Sequence, residues 1–207
     1  MSSLGGPNII TNGLILSLDA ANSKSYQSGS LTWYDRSGNG YNFTLLNGVN
    51  YSPSYNGVQI LDGTDDAIQL TTNTALKSTK TIVMWLSTAK TQALTLSGTV
   101  AGTQDNYYLG AYSPGQGFYH NACGASITCY VDCNIVTNPA PTYLDNKFHM
   151  WEFKNMDFTS WTDVWDFGGY GGYQLGGSVG PILMYNRNLT TTESQQNYNA
   201  TKGRFGL

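Results

Sequence analysis

The chain has 207 residues, only 11% of them charged, with 24 glycines, 15 tyrosines and a net charge of −3. The many aromatic residues argue against disorder. The slightly acidic balance, with its ten basic residues scattered, argues against a nucleic-acid partner. Three cysteines are an odd number and too few for a disulfide scaffold.

The first residues, MSSLGGPNII, lack a basic stretch followed by a long apolar core, so no signal peptide is expected. No run is long and apolar enough to predict a membrane span. Leu14, Leu16 and Leu18 alternate with Ile15, Ser17 and Asp19 as in a half-buried strand. Trp33-Tyr34-Asp35-Arg36-Ser37-Gly38-Asn39-Gly40 follows a polar loop, and its Asn-Gly step marks a turn. Val58–Leu61 and Ala67–Leu70 flank Asp62-Gly63-Thr64-Asp65-Asp66, which predicts a hairpin with a five-residue loop. Thr81–Leu86 is apolar on both faces and predicts a buried strand. Shorter strands are expected at 93–97, 106–111, 117–121 and 126–131, and a longer one at 148–153. Ile182 and Met184 point one way and Leu183 and Tyr185 the other, a second two-faced strand. Thr190 and Glu193 then form a capping box. It opens a helix predicted over 191–202, with Gly203 as its stop. Short strands, turns and one late helix make a sandwich of two antiparallel sheets.

Several phrases resemble laminin-G-like domains of the concanavalin A-like lectin/glucanase superfamily, in the form carried by tailed-bacteriophage structural proteins. They are GLILSLDA from Gly13, WYDRSGNG from Trp33, LDGTDDAIQL from Leu61, TIVMWL from Thr81, and the close from Ile182 to Phe205. The resemblance implies an all-β, concanavalin A-like jelly-roll β-sandwich with one short C-terminal helix. Residues 1–207 would form a single domain, with 1–12 as an N-terminal arm and 190–203 as the helix.

Enzymes on this fold present paired acids on one strand, since glycoside hydrolysis needs two carboxyl groups about the scissile bond. Here there are two glutamates. Glu193 belongs to the capping box, and Glu152 has no acid two or four residues away. No catalytic residue is therefore assigned. Asp62, Asp65 and Asp66 offer oxygen ligands for calcium, as does the loop of Asp35, Ser37 and Asn39. In both loops the competing reading is a turn whose acids bond their own backbone. His120, Cys123, Cys129 and Cys133 are soft ligands, but their gaps match no zinc motif, and buried thiols in strands are the competing reading.

Glycan binding on this fold rests on exposed aromatic platforms. Trp161, Asp163, Trp165, Asp166, Tyr170 and Tyr173 form the densest aromatic and acidic group, and Tyr112, Phe118 and Tyr119 a second. If Trp161, Asp163 and Trp165 lay on one inward strand, Asp163 would be buried. The first functional expectation is a non-enzymatic virion surface protein, a head decoration or tail-fibre component assembled in the host cytoplasm. Its partners would be other virion proteins and further copies of itself. The alternative is a carbohydrate-binding module for host or environmental glycans, and behind it a glucanase-like hydrolase.

Overall fold

The computed structural model describes residues 7–71, 74–89, 93–100, 103–111, 118–121, 123, 126–136, 141–159, 161, 164–168 and 174–207. The strands are β1 (Leu14–Leu18), β2 (Thr32–Trp33), β3 (Phe43–Leu46), β4 (Asn50–Ser52), β5 (Val58–Asp62), β6 (Ala67–Thr71), β7 (Thr81–Ser87), β8 (Ala93–Val100), β9 (Thr103–Ala111), β10 (Phe118–Asn121), β11 (Thr128–Val131), β12 (Asn134–Val136), β13 (Phe148–Lys154), β14 (Val164–Phe167) and β15 (Gly176–Tyr185). The helix α1 spans Thr191–Thr201. They form the expected sandwich of two antiparallel sheets closed by one short C-terminal helix. Sheet A runs β12-β11-β13-β7-β15-β5-β4, with β1 also paired to β15. Sheet B runs β10-β9-β8-β14-β6-β3-β2. No helix among the described residues is long and apolar enough to cross a membrane.

The core between the sheets follows the period-two alternation of the strands. From sheet A it takes Leu16, Ile82, Met84, Trp151, Phe153, Ile182 and Met184. From sheet B it takes Trp33, Phe43, Leu45, Ile68, Trp165 and Phe167. The opposite set from sheet A, including Val83, Trp85, Met150, Leu183 and Tyr185, forms a second cluster with Leu189 and Phe205. Sheet A is thus covered on both faces, which is why β7 and the last part of β15 are apolar throughout.

β15 bulges between Val179 and Ile182 where it pairs with β7. Pro181 lacks an N–H, so a break in the ladder is where a central strand tolerates it. A Cβ on Gly180 would lie 2.9 Å from both the Phe205 ring and Trp85. Glycine there lets Phe205 seat on the sheet, 4.4 Å from the rings of Trp85 and Phe148.

The capping box forms as expected. Glu193 N–H donates to Thr190 Oγ1, and Thr190 N–H donates to Glu193 Oε2 at 2.8 Å. Arg187 holds Glu193 in a two-pronged pair and, with the Thr190 N–H, keeps its carboxyl down at about 2. The helix ends at Thr201, and a 3-10 turn over Lys202–Phe205 takes its place. Gly203 is therefore inside that turn, and Gly206, at φ 79°, ends it. The tighter turn delivers Phe205 to the second cluster. The side of α1 facing the sheet is polar, with Ser194 and Asn197 buried. It docks by hydrogen bonds: Ser194 to Glu152 and Lys154, Asn197 to Ile10 N and Tyr185 Oη, Thr201 to Trp85 Nε1. The arm residues Asn8 and Asn12 are tied down by Gln196 and Arg187.

One expected pairing fails. β5 and β6 do not form a hairpin, because β5 belongs to sheet A and β6 to sheet B. The intervening 63–66 loop is a corner. Asp66 Oδ2 accepts the Asp62 N–H and Asp62 Oδ1 the Thr64 N–H, so the loop satisfies its own backbone. Gly168, at φ 152°, passes so close that a Cβ there would lie 2.6 Å from the Asp66 carbonyl.

Candidate functional site

On β2, β3, β6 and β14 the outer face of sheet B is polar where its inner face is apolar. On β14, Trp165 and Phe167 enter the core, so Asp166 between them points outward. On β6, Ile68 and Leu70 point in and Gln69 out; on β3, Phe43 and Leu45 point in and Thr44 out. The register aligns these residues in one transverse row. Thr32 faces Thr44, Thr44 faces Gln69, and Gln69 faces Asp166. The backbone row continues through Ser97, Tyr108 and Asn121.

Asp166 is the unusual member. Its Oδ1 is buried and has no hydrogen-bond partner among the described residues. Its Oδ2 lies 3.5 Å from Gln69 Nε2, at the limit of a hydrogen bond. Burial raises the carboxyl to about 7, opposed only by the Gln69 contact. Tyr34, the residue after β2, continues the alternation outward beyond buried Trp33 and is 45% exposed. The row from β2 to β14 crosses three strand spacings, roughly 14 Å, longer than one sugar ring. The stretch from β2 to β14 therefore carries an aromatic surface at one end and an underused carboxylate at the other, with hydroxyl and amide groups between.

The aromatic group expected to bind glycan is divided. Trp161 and Trp165 are 2% exposed, packed against each other and Phe158 with ring centroids 4.7 and 4.8 Å apart. They are core residues and present no stacking surface. The reason is local: β14 starts at Val164, so Trp161 reaches the core from outside that strand. Asp163, Tyr170 and Tyr173 lie outside the described residues, as do Tyr112 and the side chains of Phe118 and Tyr119.

Asp62, Asp65 and Asp66 do converge, with one carboxylate oxygen from each within 4.8 Å of the others. These are hard ligands of the calcium type. Two of their oxygens already accept backbone N–H groups of the corner. Asp35 is a structural hub. It accepts from Ser17 N, Ser37 N, Tyr41 N and Ser37 Oγ at 2.7–3.1 Å, so donors rather than a cation surround it. Cys123 and Cys129 lie in the core between the sheets, whereas Cys133 packs on the other face of sheet A. The three thiols therefore do not share one zinc site. The His120 side chain lies outside the described residues.

Glu152 is fully buried beneath α1, 3.6 Å from Lys154 Nζ, with burial raising its carboxyl above the usual range. It has no path to a substrate. In the sequence, Asp166 falls in the aromatic and acidic group and Tyr34 in a turn phrase, and neither Gln69 nor Tyr34 is given a part in binding. The signal was present in Ile68-Gln69-Leu70 and Trp165-Asp166-Phe167, polar residues held between inward ones, but alternation alone does not say which strands are neighbours.

No family profile matches the chain, and no curated protein matches it. Solved structures do. Domain 4 of AbnA, a GH43 extracellular arabinanase from Geobacillus stearothermophilus, is 15% identical with a TM-score of 0.55, over 90% of this chain and 98% of that one. A Trypanosoma rangeli sialidase mutant with trans-sialidase activity is 14% identical with a TM-score of 0.57, over 98% and 35%. The binding domain of botulinum neurotoxin DC is 12% identical with a TM-score of 0.51, over 92% and 52%. The fold is a lectin-like β-sandwich. At these identities the likeness is one of fold. The chain spans about a third of the sialidase and about half of the toxin domain.

Proposed function

We propose that this protein is a carbohydrate-binding domain that holds a glycan on the outer face of sheet B without cleaving it. The observation that carries the reading is Asp166, a half-buried carboxylate whose Oδ1 is buried and without a partner among the described residues, in a row of hydroxyl and amide side chains. A sugar hydroxyl is the donor that Asp166 Oδ1 lacks, and Tyr34 supplies an apolar surface for a sugar ring at the far end of the row. Two structural neighbours support it: the arabinanase domain was solved with arabinotriose, and the toxin binding domain with SialylT. The row contains one carboxylate, where hydrolysis by paired acids requires two, and Glu152 is sealed on the other sheet. The test is retention on immobilised polysaccharides and a glycan array. Wild type should be retained, and Tyr34→Ala should lose retention while keeping its melting temperature. Equal retention of the variant would exclude this face.

The setting proposed for that binding is a virion surface, in a head decoration or tail-fibre role beside other virion proteins. It rests on the sequence phrases at 13–20, 33–40, 61–70 and 182–205. Labelling intact particles with an antibody to this chain tests it, and unlabelled particles would refute it.

A further inference from the structure

The strands of sheet B read TW, FTLL, AIQLT, ALTLSGTV, TQDNYYLGA, FYHN and VWDF. None contains lysine or arginine, although the chain has ten such residues. The charged group shown on the outer face is Asp166, which faces Gln69 on one side and the Ser97 register position on the other. We propose that the ligand of this face is an uncharged, hydroxyl-rich oligosaccharide, accepted by Asp166 and Gln69, and that acidic glycans are excluded. This rests on the glycan-binding reading above.

The physical case has two halves. A desolvated carboxylate with a free lone pair gains most from neutral O–H donors, because charge-assisted hydrogen bonds are the stronger kind. Above about pH 7, where Asp166 is ionised, a ligand bringing its own carboxylate or sulfate would set like charges together on strands that carry no lysine or arginine, and such juxtaposition is how interfaces reject wrong partners. Solvent screens this contact weakly, since Asp166 Oδ1 itself is out of water.

The experiment measures binding of matched neutral and acidic probes: lactose against sialyllactose, and maltotriose against trigalacturonate. The proteins are wild type, Asp166→Asn and Thr44→Arg. Thr44 is exposed and lies in the same row, so an arginine there adds the missing cation without disturbing the core. Wild type should bind a neutral probe, with its acidic counterpart more than about tenfold weaker. Both variants should narrow that ratio, Asp166→Asn mainly by weakening the neutral probe and Thr44→Arg by strengthening the acidic one. A residue with a purely structural role would shift both probes alike. Equal or tighter binding of the acidic probes by wild type overturns the proposal and leaves glycan binding standing. A ratio unmoved by Asp166→Asn overturns the part given to Asp166. Binding to no probe removes the glycan-binding reading and this proposal with it.

Discussion

Lys154 Nζ lies 3.6 Å from Glu152 Oε1, and Ser194 Oγ bonds to both, at 2.9 and 2.8 Å, beneath helix α1. The Lys154 ammonium also donates to the Leu189 carbonyl and sits 4.6 Å from the centre of the Tyr130 ring. The pair is a polar key by which a largely polar helix docks on sheet A, beside the stacking of Tyr198 on Trp85. Removing one partner leaves a buried charge alone. Lys154→Met should therefore destabilise by about 3–5 kcal/mol, seen as a lower urea midpoint at unchanged slope. Lys154→Met with Glu152→Leu should recover most of that loss, because a matched apolar pair has no charge to strand.

The two aromatic residues Trp165 and Tyr34 should behave oppositely. Trp165 is buried against Trp161 and Phe158. Trp165→Ala should cost about 3–5 kcal/mol and be visible in thermal unfolding. Tyr34 is exposed, so Tyr34→Ala should change stability by no more than about 0.5 kcal/mol. Circular dichroism melts separate the two.

Asp166 should make the protein less stable as pH rises. Its folded carboxyl sits at about 7, above the ordinary value of 3.8. Between those values the native state keeps a proton that the unfolded chain has lost, so stability falls from about pH 4 to pH 7 and is flat above. Asp166→Asn removes this dependence. The variant should melt higher than wild type at pH 8 and no higher at pH 4. A gain in stability coupled to a loss of binding is the mark of a residue kept for its ligand.

His149 has a separate dependence. Its Nδ1 is 2.6 Å from Asp132 Oδ2 and its Nε2 3.2 Å from Asp145 Oδ1. The Asp132 hydrogen bond raises its pKa above 6.5, outweighing burial. The stabilisation is fully present below 6.5, the unfolded value, and is lost as pH rises through the folded one. Asp132→Asn keeps an oxygen for the Met150 N–H but weakens the ion pair. It should lower the His149 titration midpoint in an NMR titration and cost more stability at pH 6 than at pH 9.

The two-faced strands were legible because both their faces are buried: residues 81–86 and 182–185 read as they fold. The capping box was legible because Thr190 and Glu193 are local to each other. The hairpin over 58–70 was misread because alternation is blind to which sheet receives the next strand, and the corner loop of Asp62 and Asp66 resembles a hairpin loop in composition. The tryptophans misled for a related reason. Trp161 and Trp165 are spaced like one strand face, yet the first reaches the core from a loop. Asp166 and Gln69 meet across strands separated by almost a hundred residues of sequence, and only the fold brings them together.

β15 pairs with β7, β5 and β1, so the centre of sheet A is made by a segment synthesised long after its neighbours. Until residues 176–185 leave the ribosome, β1 lacks this partner and β7 offers an apolar edge, the kind of surface that sticks to other nascent chains. Assembly of the sheet is consequently a late event in translation, with a high contact order and a correspondingly slow rate.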